Sequence, residues 1–306
     1  MLSAISITFA GILLLIVAVC LLKRAQNLLV LFSKSWKNVI LASLSLSFGI
    51  FTWYDSINKI GASKEVLIAG PLEIVIIVIL ARAFLRERLS KFHLIGIAIA
   101  LVGFFMAVAS DTTFAVPDNT ETSIVVASSA VAKSSSLSEI VIGFGDIEAI
   151  LSAFGFAGGV IFLTKLAIKY SSIEVAGASM FSSGLILVAF LVVGLMSYGI
   201  PSKEISFLWQ PLVYSIVVLV LFSLLPFIGS LSYSTGLSRI GASLTSTIGS
   251  SSILMTVVLQ IILKEFGINS HLPENIFLAI LGGVTGFLGI YVIHFPSYSM
   301  SITKKK

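Results

Sequence analysis

Ile57-Asn58-Lys59-Ile60-Gly61-Ala62-Ser63 returns 180 residues later as Leu237-Ser238-Arg239-Ile240-Gly241-Ala242-Ser243. An apolar run ends in each copy, and another apolar run starts from it. Self-similarity at a fixed separation marks a duplicated chain.

The composition decides the solvent. Of 306 residues, 57% are hydrophobic and only 11% are charged, and mean hydropathy is +1.10. Soluble domains carry about 25% charge. A soluble core cannot hide the excess, so lipid is the expected medium. The net charge of +5 does not indicate nucleic acid, because the basic residues sit in short loops between apolar runs. The single cysteine, Cys20, rules out an intrachain disulfide and reads as a small buried hydrophobe.

Apolar runs long enough to span lie at about 2–22, 38–57, 65–85, 93–110, 144–166, 175–198, 211–235, 241–263 and 275–295. At about 20 residues per crossing, that predicts nine transmembrane helices. Lys and Arg sort the loops. Of 19 basic residues, only Lys59, Lys64, Lys133, Lys203 and Lys264 fall in one alternating set. The other set, which includes Lys304–Lys306, is therefore cytoplasmic. The C-terminus is expected inside and the N-terminus outside, in the plasma membrane. Five crossings separate the two IleGlyAlaSer turns, so these face opposite sides. The expected fold is an all-α polytopic membrane protein, with nine transmembrane helices forming an inverted-repeat bundle of four plus five. Residues 1–110 form the first repeat and 144–296 the second. Residues 111–143 are an external Ser/Thr-rich linker, and 297–306 a cytoplasmic basic tail. Inverted repeats are the sequence trace of secondary transporters.

Glu73 is the sharpest candidate for chemistry. It lies near the middle of the 65–85 run, where a charge costs about 2.5–3.5 kcal/mol on insertion scales. It should face the bundle interior or a wet cavity, and it suits proton binding or pairing with a cation. Pro71 removes a backbone donor and frees the carbonyl of Leu67 for a substrate, ion or water. The inverted counterpart of Glu73 falls at Ser250, Ser251 and Ser252, in a hydroxyl-rich stretch with Thr247. These hydroxyls either bond their own i−4 carbonyls or form a polar cavity wall. Gln260 lies two turns deeper and needs a partner for its amide. Trp53 and Tyr54 read as interfacial anchors or as part of a binding site, and Asp55 as solvated. Asp146 and Glu148 read as acids complementing a helix dipole. The pairs Gly155/Gly159 and Gly282/Gly286 predict close helix packing within the chain, with a homodimer the alternative.

Further motifs give the chain a family resemblance. Gly70-Pro71-Leu72-Glu73, Arg86-Glu87-Arg88-Leu89-Ser90 and Gly96 follow the first turn. Lys264-Glu265, Gly282, Gly283, Gly286 and Gly289 follow the second. In this pattern the chain resembles the EamA branch of the drug/metabolite transporter superfamily. A counterpart of Pro71 near Ser251 is absent. The resemblance implies five helices per half. Only 2–22 precedes the matched helices of the first repeat, so the family's first helix, which helps to line the central cavity, is expected to be missing, either because the chain starts late or because the protein is a nine-helix variant.

The expected function is secondary transport, without ATP, of small polar metabolites, amino acids or drugs. The partners are then a small-molecule substrate, the lipid bilayer and a proton or other coupling ion, with no nucleic acid. No HExxH, cysteine pair, phosphate loop or Ser/His/acid set points to catalysis, a metal or a cofactor. The alternatives are a non-transporting membrane scaffold or partner subunit, and a membrane-embedded transferase acting on a lipid-linked substrate.

Overall fold

The computed structural model describes residues 2–21, 23, 25–85, 91–110, 143–198, 212–249, 251–266 and 275–303. Everything regular among them is helical. The helices are α1 Leu2–Ile16, α2 Ala25–Lys34, α3 Trp36–Ile60, α4 Ala62–Leu80, α5 Lys91–Ala109, α6 Phe144–Ala167, α7 Ser172–Tyr198, α8 Leu212–Gly249, α9 Ser251–Glu265 and α10 Ile276–Thr303. Among the described residues, five stretches are long and apolar enough to cross a membrane: Trp36–Ile60, Ala62–Phe84, Phe144–Ala167, Ser172–Val193 and Val217–Ser243. The expected linker at 111–143 lies almost wholly outside the described residues.

One detail differs from the sequence expectation. α2 fills what reads as a loop, because Leu28 and Leu31 form a buried stripe on an otherwise exposed helix. Within α8 the second IleGlyAlaSer turn is a kink at the non-helical Gly241, which separates two helical segments.

The chain forms two compact units. One comprises Met1–Phe51 with Gly155–Thr245. Here α1 packs along α7, and Leu14, Ala18, Leu28, Ile173 and Ala176 form a buried cluster. α3 meets α7 through serines: Ser47 Oγ donates to Ser183 O at 3.0 Å. At Gly155, on α6, there is no room for a Cβ beside the Gly49 backbone of α3. Cys20, in the π-helical turn Val17–Leu21, is exposed rather than buried.

The other unit comprises Thr52–Phe154 with Ser246–Lys306. Its α5 lies tightly along α10, with Gly103 seated on the Gly282 and Gly286 backbone. The Gly282/Gly286 pair thus serves contact within the chain. Lipid tails are as apolar as leucine, so such helices associate by close packing and polar contacts rather than by the hydrophobic effect. α4 packs on α5, α9 and α10.

Candidate functional site

The polar centre of the second unit is built around the first turn. Gly61 closes α3 by donating its N–H to Ile57 O at 2.9 Å, and its own carbonyl starts α4 by accepting Glu65 N–H at 3.1 Å. One residue therefore belongs to both helices. That requires φ 81° and ψ 156°, a region open essentially to glycine alone. Gly241 adopts φ 84° and ψ 175° in the second copy. Among the described residues these are the only glycines with positive φ.

With about 100° between successive residues of a helix, the first turn of α4 sends three neighbouring side chains in different directions. Ser63 donates from both its backbone N–H (3.2 Å) and its hydroxyl to Gln260 Oε1 of α9. Gly61 offers no side-chain cap, so Gln260 satisfies one open N–H of the α4 N-terminus from another helix. Lys64 pairs with Asp146 Oδ1 at the start of α6, 3.0 Å away, and both side chains are under a tenth exposed. Glu65 is 1% exposed. Trp53 of α3 donates Nε1–H to its Oε2 at 2.7 Å, and Ser152 Oγ of α6 lies 3.2 Å from its Oε1. One turn back on α3, Lys59 reaches Asp55 at 2.9 Å and Glu148 at 2.6 Å.

Asp146 and Glu148 are thus more than acids at a helix start. Asp146 Oδ2 does accept the Gly143 N–H at 2.9 Å, as a first-turn acid should. Both acids also tie α6 to lysines of the α3–α4 turn. Asp55, read as solvated, is one arm of that network.

Glu73 lies eight residues beyond Glu65, about 12 Å along the helix at 1.5 Å per residue. It is half-buried and makes no hydrogen bond or ion pair among the described residues. Pro71 sits inside α4 without ending it, and its ring lies against Gly286 of α10. Tyr54 is exposed, with its ring centroid 4.7 Å from that of Trp53. Ser252 is exposed. Ser250 lies outside the described residues, as do the side chains of Ser251 and Thr247.

The structure therefore joins Trp53 to Glu65 and Gln260 to Ser63, and it brings no described partner to Glu73. Glu65 escaped the reading of the sequence because an acid in the first turn of a helix looks like a dipole effect. A signal was present. The two turns diverge immediately after IleGlyAlaSer, into Lys64-Glu65 in one copy and Leu244-Thr245 in the other.

Chemically, the cluster offers carboxylates for protons and cations, held by neutral donors and lysines. It assembles no nucleophile with a base. No curated protein matches the chain. The sequence model of the EamA-like transporter family matches residues 1–109 and 143–295, both sides of the Ser/Thr-rich segment. With apolar spanning helices and a duplicated helix–glycine–helix turn, this chain belongs to the EamA-like transporter family, within the drug/metabolite transporter superfamily.

Proposed function

We propose that the protein is a secondary transporter that moves small polar metabolites, amino acids or drugs by alternating access between two inverted repeats. The repeats hold four and five of nine spans, with the N-terminus outside and the C-terminus cytoplasmic in the plasma membrane. The observation that carries this reading is the duplicated turn: Gly61 and Gly241 hold the same rare backbone conformation, each between two apolar helical segments. Paired inverted repeats are the architecture in which one repeat rocks against the other. Glu73 supports a transport path, since a carboxylate in the middle of a spanning helix is expensive unless it meets water, a proton or a cation.

The test is reconstitution in proteoliposomes with a panel of amino acids and polar metabolites, at several pH values. Wild type should move at least one of them without ATP, and Glu73→Gln should fold yet lose transport or its pH dependence. Wild-type transport with an unaltered Glu73→Gln profile would remove Glu73 from the path. The transporter reading itself fails if no panel member moves and reporters after Lys306 and near Asn119 fall on one side.

A further inference from the structure

Ser152 has one hydroxyl hydrogen and two acceptors within reach. Ala149 O lies 2.8 Å from its Oγ, and Glu65 Oε1 lies 3.2 Å away. The carbonyl is the shorter contact and has the i−3 geometry that helical serines commonly use. Once that hydrogen points at Ala149, two oxygens face each other at 3.2 Å with no proton between them. Both side chains are sealed, Glu65 at 1% and Ser152 at 0% exposed. Neither Ser152 Oγ nor Glu65 Oε1 has another hydrogen-bond partner among the described residues.

We propose that Glu65 is a proton-binding site, carrying a proton on Oε1 that it donates to Ser152 Oγ. Every atom of the cluster is then satisfied. Trp53 Nε1–H donates to Oε2, the carboxyl O–H donates to Ser152, and Ser152 donates to Ala149 O. Losing the proton to water leaves a carboxylate with one firm donor, in a site where an uncompensated charge is expensive.

The other titratable groups around it are accounted for. On α3 they are Tyr54, Asp55 and Lys59, and on α6 they are Asp146 and Glu148. On α4 they are Lys64 and Glu73, and on α10 Tyr291. Lys59 and Lys64 are engaged by Asp55, Glu148 and Asp146, so the two cations near the turn already face three carboxylates. The described side chains of α5 and α9 include no titratable group. A neutral Glu65 completes a cluster that an ionised one would leave with excess negative charge.

Binding of this proton stands on the geometry alone, whereas its use in coupling rests on the transporter reading. The experiment follows the infrared carbonyl stretch of protonated carboxyls in the full chain in liposomes, against pH. A Glu73→Gln background keeps the next acid along α4 out of the signal, and the band is read as the difference between this background and its Glu65→Gln variant, which cancels the acids of the other spans. A band present at neutral pH should vanish in Glu65→Gln. If that variant does not fold, Ser152→Ala decides by sign. Ser152 as acceptor stabilises the protonated form, so its removal should lower the pH at which the band disappears. The expected shift is about half to one pH unit, the size of one net hydrogen bond. A band that survives Glu65→Gln overturns the assignment, and so does a Ser152→Ala midpoint that stays or rises. None of these readouts depends on transport, so a failed transport assay leaves the proton site standing.

Discussion

The two IleGlyAlaSer turns share a backbone and differ in everything attached to it. At Gly61 and Gly241 the chain takes φ of 81° and 84°, and a new helical segment starts in each copy. In the first copy the next two residues are Lys64 and Glu65, which reach α3 and α6. In the second the same places hold Leu244 and Thr245, and the Thr245 hydroxyl closes onto Gly241 O of its own turn, 2.7 Å away. Both turns keep what the chain direction needs, which is a glycine. The chemistry diverged: one turn is a polar junction of several helices, the other a local bend.

If that contrast holds, charge removal should separate the copies most. Lys64→Met keeps the stem but leaves Asp146 facing an empty place in a buried site. Breaking one half of a buried pair typically costs about 3–5 kcal/mol, and unfolding in detergent micelles should show a loss of that order. The double variant Lys64→Met/Asp146→Leu should recover much of it, because no lone charge remains. A single-variant loss below about 1 kcal/mol would mean that water reaches the pair and the first turn is as ordinary as the second.

Backbone strain should instead treat the copies alike. An alanine at Gly241 would meet nothing within 4 Å, so its whole cost is conformational. Residues forced into this region lose about 1–3 kcal/mol. Gly61→Ala and Gly241→Ala should both fall in that range when unfolding is followed by the same method. A neutral Gly241→Ala would show that the second turn does not hold this conformation, and the structural likeness of the copies would go with it.

The sequence displayed the parts of this architecture that are local. Hydropathy indicates the membrane class, and a seven-residue echo marks both glycines. The family match to residues 1–109 and 143–295 agrees with that reading. The polar junction was not visible in the same way. Glu65 matters because Trp53 and Ser152, 12 and 87 residues away in sequence, close over it. Gln260 caps α4 from 197 residues away. Neither contact has a sequence period, and each side chain alone suits a helix end. The α2 helix was missed for the opposite reason: ten residues are too few to register as a span, and their stripe buries only against other helices.

The smallest effect should come from the polar group of the second turn. Thr245 is 6% exposed, and its side chain packs beside Gly236. Thr245→Val keeps the branched shape and removes the hydroxyl. That hydroxyl bonds a carbonyl of its own helix, so its removal strands no partner on another element. The expected cost is about 0.5–1.5 kcal/mol, one net hydrogen bond, well under the Lys64→Met loss measured in the same detergent. The ordering follows from what each group leaves behind: Lys64 abandons a buried carboxylate, and Thr245 abandons a carbonyl already set in a helical turn. A Thr245→Val loss of about 3 kcal/mol or more would reveal that the second turn also depends on its polar side chain, and that the two copies diverged less than their sequences suggest.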